Sequence, residues 1–149
     1  MEADKELKSI INSGRIPNAF LFEGPAGSGK LKSAIEFTQS LFMLNSSNNN
    51  LNTNFSTTLA HPDFHIIFPI PNSEKKAENS CDFYCKDWIE YAVSNNLEIN
   101  IKRWNDKLDI KKQPQIGINT ISTLYKKLSL SSFALGYKVC LLYTSDAAD

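Results

Sequence analysis

The glycine-rich stretch GPAGSGK at residues 24–30 constrains this chain more than any other feature of its sequence. Its spacing of Gly, four residues and then Gly-Lys is that of a phosphate-binding loop. Such a loop joins a buried strand to a helix. The apolar run Ala19–Phe22 predicts the strand, and residues at helical spacing predict the helix, namely Leu31, Ala34, Ile35, Thr38, Leu41 and Phe42.

The chemistry of such a loop follows from its backbone. Amides of the loop surround the β-phosphate of a nucleotide, the following helix presents its positive end, and the lysine adds a mobile charge near the β- and γ-phosphates. Glycines allow the backbone to approach the ligand closely. The predicted nucleotide-binding residues are therefore Gly24, Ala26, Gly27, Ser28, Gly29, Lys30 and Leu31.

Leu31 departs from the pattern, because a Ser or Thr at this position normally holds magnesium and leucine has no oxygen. Ser33 lies too far round the helix to replace that ligand directly. Phosphoryl transfer depends on the metal and the lysine for charge neutralisation, so hydrolysis should suffer more than binding. The loop therefore predicts weak or vestigial ATP binding and no strong catalytic activity. No catalytic residue is predicted, and the sequence does not decide whether magnesium binds.

The remaining chain alternates strands with helices, which is typical of an α/β fold with a mostly parallel sheet. A second strand is expected at Phe64–Phe68 and a last one within residues 137–143. Helices are expected at residues 87–97 and from Ile118 to Leu128, the latter with Asn119 as N-cap. Residues 1–139 would form one partial domain in which 45–58 and 70–113 are loop or insertion segments.

Composition narrows the class of protein. A chain of 149 residues suits one domain. Sixteen basic residues balance sixteen acidic ones, so DNA contact would need a local patch or partner subunits. The charged N-terminus predicts no signal peptide, and no apolar run approaches the roughly 20 residues of a membrane span. Three cysteines without framework spacing favour a reducing compartment, so we expect a cytoplasmic protein without a membrane partner.

Three stretches in this order, residues 14–37, HPDFHIIFP at 61–69 and residues 116–139, resemble the N-terminal AAA+ module of the delta-prime family of bacterial clamp-loader subunits. The resemblance spans nearly the whole chain. It implies a P-loop NTPase fold of three αβα layers, incomplete at the C-terminus. It also implies a largely structural subunit that helps to load the sliding clamp on primed DNA, within a DNA polymerase holoenzyme that is a nucleotidyltransferase.

The implied partners are the delta and gamma/tau subunits, the sliding clamp and, through the complex, primer-template DNA. Two other functions stay open: a catalytic gamma/tau-type ATPase and a P-loop nucleotide or metabolite kinase. Leu31 argues against the first, because that subunit keeps a Ser or Thr. The absence of an evident Arg cluster argues against the second.

Zinc is a weaker hypothesis. Relatives commonly carry a cysteine-bound zinc module before HPD, but residues 45–58 contain no Cys, so zinc is not expected. His61 and His65 with Cys81 and Cys85 have ligand-type spacing, but Pro62 disfavours a helix that would pair the histidines.

Three aromatic residues and two pairs of lysines also have two interpretations each. Trp88, Tyr91 and Trp104 could stack on bases, although they are more often packing anchors. The pairs Lys111-Lys112 and Lys126-Lys127 could contact phosphates, although a solvated face is more usual.

Residues 140–149, CLLYTSDAAD, break the resemblance. The codons TGT CTC TTA TAC ACA TCT GAC GCT GCC GAC would encode them, and that DNA resembles a transposase-type sequencing adapter. We therefore expect a non-native, adapter-derived tail and do not assign Asp146 or Asp149 as metal-binding acids. An ordinary strand with a polar end is the alternative, and the nucleotide sequence decides between them.

Overall fold

The computed structural model describes residues 2–44, 55–75, 78–109, 113–133 and 136–144. Within these ranges the chain forms helices and two short strands. In chain order they are α1 (Glu2–Ser13), α2 (Lys30–Leu44), α3 (Phe55–Leu59), β1 (Phe64–Ile67), α4 (Cys81–Ser94), α5 (Ile101–Lys107), α6 (Ile118–Ser129) and β2 (Val139–Leu142).

The two strands form a parallel pair, in which Phe64 lies opposite Val139 and Ile67 opposite Leu142. Parallel strands need a long crossover connection, and here α4, α5 and α6 lie between them. Both strands were predicted at these places, and the α/β class is confirmed.

Cys140 to Leu142 of the expected adapter-derived tail continue β2, whereas residues 145–149 lie outside the described residues. The origin of the tail stays a prediction.

Asp63 joins the two strands at their start. Its backbone oxygen accepts a hydrogen bond from the Val139 amide at 2.8 Å, and its buried carboxylate accepts from the Phe133 amide at 2.9 and 3.0 Å. Lys138 then reaches back to the end of α6 and donates to the carbonyls of Lys127 and Leu130. These bonds connect the carbonyl end of α6 to the start of β2.

The core is aromatic and lies against the end of β1. Phe68, Trp88 and Trp104 are fully buried. Phe68 stacks on Trp88 with ring centroids 5.2 Å apart and meets Trp104 edge-on at 6.0 Å. The prediction that these tryptophans are packing anchors is confirmed, because neither ring is available to stack on a base. The 70–113 segment therefore contributes much of the core through α4 and α5.

The predicted strand at Ala19–Phe22 is wrong in this structure. The segment has no regular secondary structure and lies outside the described sheet, in which β1 pairs with β2 alone. Leu21 is consequently 88% exposed. An apolar run is necessary for a buried strand, but a strand also needs a neighbour that supplies its hydrogen bonds.

The helices begin at other residues than predicted where a capping residue sets the helix start. α4 begins at Cys81, earlier than expected, because the Ser80 side chain accepts a hydrogen bond from the Asp82 amide. α5 was not expected and begins after the Asn100 cap. The N-cap of α6 is Gly117 and not Asn119, which lies inside the helix. Residues 55–58 belong to α3, while 45–54 lie outside the described residues.

The face of α6 that packs also differs from the expected one. Thr120 is buried and Leu124 packs on the core, whereas four residues of the predicted apolar face are exposed, namely Ile118, Ile121, Tyr125 and Leu128. None of the described helices is long and apolar enough to cross a membrane.

Replacing Phe68 by Ala should lower the free energy of unfolding by about 3–5 kcal/mol, because it empties the centre of the aromatic core. Denaturant unfolding followed by far-UV circular dichroism measures the change. Phe83→Ala is the matched control, since Phe83 is 55% exposed and its loss should cost about 0.5 kcal/mol or less. Equal losses in the two variants would contradict the assigned core.

Candidate phosphate-binding site

The glycine-rich loop ends where α2 begins, at Lys30. Gly27 and Gly29 have φ of +75° and +78°, a left-handed conformation that favours glycine. The Ser28 amide donates to the Pro25 carbonyl at 3.2 Å, which forms a turn inside the loop, and the Ser33 amide donates to the Gly29 carbonyl at 2.9 Å, which starts the helix. The predicted order of loop and helix is confirmed.

Lys30 folds back across the loop from the first turn of α2. Its ammonium nitrogen donates to the carbonyl of Gly24 and to that of Pro25, the latter at 3.1 Å. These bonds join the two ends of the loop around one positive charge. The charge therefore lies within the loop and not on an outward-pointing lysine side chain.

Gly24 lies in close contact with the Ser28 side chain. A Cβ atom at this position would lie 2.9 Å from the Ser28 hydroxyl oxygen, closer than real Cβ atoms approach. That hydroxyl oxygen is buried and has no hydrogen-bond partner in the described structure. Gly24 and Ser28 thus close the inner side of the loop.

Three loop amides have no hydrogen-bond acceptor among the described residues. Within the described ranges, the amides of Ala26, Gly27 and Gly29 make no hydrogen bond with other groups of the chain. Unpaired amides beside a helix N-terminus and an ammonium group are the donors that bind a phosphate. Six of the seven predicted residues, Gly24 and 26–30, therefore lie together in one loop with unpaired amides, and their binding of a phosphate stays a prediction.

Leu31 is the exception among the predicted residues. Its side chain is only 7% exposed and belongs to the same buried cluster as Ile35 and Phe64. Position 31 therefore contributes to the core, and it has no oxygen to offer a metal ion. Pro25 was missed by the sequence prediction, because its contribution is a backbone carbonyl that accepts from Lys30 and no residue pattern marks it.

A cavity lies between β1, α4 and α6. The residues that line it include His65, Cys81, Cys85, Thr120 and Lys127. Cys81 and Cys85 are one turn apart on α4, but among the described residues no group of three or more His, Cys, Asp or Glu side chains is arranged to hold a metal ion. At the cavity, Lys127 forms an ion pair with Asp82.

Burial sets the protonation of the groups around this cavity. It raises the pKa of the Cys81 and Cys85 thiols, which favours their neutral form. The pKa of His65 is lowered, first by burial and then by the positive charges of Lys127 and Lys138. Its Nε2 atom is buried without a hydrogen-bond partner in the described structure. These groups are neutral packing residues with no activated nucleophile among them.

Comparison with known proteins gives one consistent result. The family described as "DNA polymerase III, delta subunit" matches residues 1–149. The DNA polymerase III subunit delta' of Bacillus subtilis (strain 168) is 35% identical over 121 residues, which are 74% of this chain and 37% of that protein. The chain thus spans little more than a third of this relative's length. No solved structure matches it significantly.

The lowered pKa of His65 predicts a loss of stability in acid. Below its ordinary pKa of 6.5 the unfolded chain protonates this histidine more readily than the folded chain, so the free energy of unfolding should fall as the pH drops through this range. His65→Val should make the pH dependence shallower in urea unfolding measured over a pH series. Lys127→Gln should do so partially, because it removes one opposing charge. An unchanged pH dependence in His65→Val would contradict this assignment.

Proposed function

Because the chain belongs to the DNA polymerase III delta subunit family, we propose that it acts as a delta-prime-like clamp-loader subunit in DNA replication. The full-chain family match is the observation that carries this proposal. Its identity with the Bacillus subtilis subunit delta' supports the same assignment. The subunit would help to load the sliding clamp on primed DNA in the cytoplasm.

The proposed fold is the AAA+ form of the P-loop NTPase, with helices on both faces of a mostly parallel sheet. Two observations support it: the parallel β1–β2 pair with a helical crossover, and the glycine-rich loop that leads directly into α2.

The loop in this proposal binds ATP weakly and hydrolyses it poorly. The amides of Ala26, Gly27 and Gly29 and the ammonium of Lys30 would hold the phosphates. A bound magnesium ion normally neutralises the charge that develops during phosphoryl transfer. Leu31 has no hydroxyl to offer that ion, and its side chain lies in the core. The gamma/tau alternative gains no support, since that subunit depends on the hydroxyl.

The role is therefore structural, and the partners are the delta and gamma/tau subunits, the sliding clamp and primer-template DNA. The balanced charge of the chain favours DNA contact through the complex over independent DNA binding. Zinc has no part in this proposal.

Assembly tests the role directly. The gene product that contains these residues, co-expressed with the delta and gamma/tau subunits, should elute with them as one complex in size-exclusion chromatography, with every subunit confirmed by mass spectrometry. The control is the same co-expression with a clamp-unrelated P-loop protein in its place. A gene product that elutes alone while delta and gamma/tau remain associated would contradict the proposed role.

Lys30→Ala tests the loop. Removing the ammonium should weaken ATP binding at least about tenfold, because a charge-assisted contact is worth roughly 1.5–3 kcal/mol. Isothermal titration calorimetry measures the affinity, and Lys32→Ala, two residues further along α2, is the matched control. Equal affinity in wild type and Lys30→Ala would mean that the loop does not contact the nucleotide.

A further inference from the structure

The loop fits the phosphates of a nucleotide and does not fit the magnesium ion that normally accompanies them. The fit to phosphate rests on the Lys30 ammonium, which donates to the Gly24 and Pro25 carbonyls, and on the unpaired amides of Ala26, Gly27 and Gly29. Both features depend on backbone groups and on the lysine alone. An anion can therefore be held without a metal bridge.

The misfit to magnesium rests on position 31. A hydroxyl-bearing residue acts as a ligand only when its side chain points out of the core toward the phosphates. Leu31 points the other way, with 7% of its surface exposed, in the cluster that contains Ile35 and Phe64. The described residues offer no alternative group of three or more acidic, His or Cys side chains that could hold a metal ion.

We infer that this loop recognises a metal-free diphosphate group, so that a nucleoside diphosphate binds as tightly without magnesium as with it. The inference rests on the proposed phosphate-binding function and specifies the chemical form of its ligand. Loop amides and the helix N-terminus supply the counter-charge that magnesium supplies in a hydrolysing site.

Magnesium removal is the decisive experiment. ADP binding to the chain is measured by calorimetry with excess magnesium chloride and again with excess EDTA. The expected dissociation constants agree within about twofold, a difference of roughly 0.4 kcal/mol by the affinity relation. An affinity that falls about tenfold or more in EDTA would overturn the inference, and so would undetectable binding under both conditions. Competition by inorganic pyrophosphate would assign recognition to the phosphates, whereas competition by adenosine alone would overturn it.

Leu31→Thr tests the cause of the behaviour. Because the side chain at position 31 points into the core, a variant that retains the helical circular dichroism of the wild type should still bind ADP equally tightly in magnesium and in EDTA. A folded variant that binds ADP about tenfold more tightly in magnesium would show that position 31 reaches the metal, and it would overturn this explanation. Leu31→Val is the control, since it makes a similar change in shape and adds no oxygen.

These outcomes are separable from those of the proposed role. A gene product that joins the clamp-loader subunits but loses ADP in EDTA overturns this inference alone. A gene product that does not join them contradicts the proposed role. Its ADP affinities in magnesium and in EDTA can still be compared.

Discussion

The parallel pairing of β1 with β2 is the interaction on which the rest of the described structure depends. It brings together residues that are 70 positions apart at the Asp63–Phe133 contact. Closing a flexible segment of that length costs about 4 kcal/mol in chain entropy. The buried carboxylate of Asp63 and the aromatic contacts of Phe68 act at the two ends of β1 and offset this cost. Leu31 and Ile35 join the same cluster, so the core that holds the strands also positions the phosphate-binding loop.

Residue patterns predict the parts of this structure that depend on local sequence. The spacing of Gly24, Gly29 and Lys30 located the loop, and helical periodicity located α2. Apolar runs located both strands of the pair, although a third run, at residues 19–22, failed because strand formation depends on a neighbour. The start of α4 depends on a single hydrogen bond that the Ser80 side chain accepts from the Asp82 amide, which periodicity does not reveal.

Tertiary contacts explain what the patterns could not show. The apolar stripe of α6 predicted a buried face, but the helix packs through Thr120 and Leu124. Lys138 contacts the end of the same helix, where it donates to the Lys127 carbonyl. In the loop, the carbonyl of Pro25 and the closeness of Ser28 to Gly24 are properties of the backbone path. Position 31 is the most instructive case. The sequence revealed the missing oxygen, and only the structure revealed that this side chain belongs to the core.

The placement of both tryptophans has a spectroscopic consequence. The sequence contains two, Trp88 and Trp104, and both rings pack against Phe68 at one end of β1. Fluorescence excited at wavelengths that only tryptophan absorbs therefore originates in α4 and α5, and residues 24–30 contain no tryptophan. A change in the tryptophan signal would report the opening of the aromatic cluster. Events confined to residues 24–30 would not change this signal unless a label were placed there.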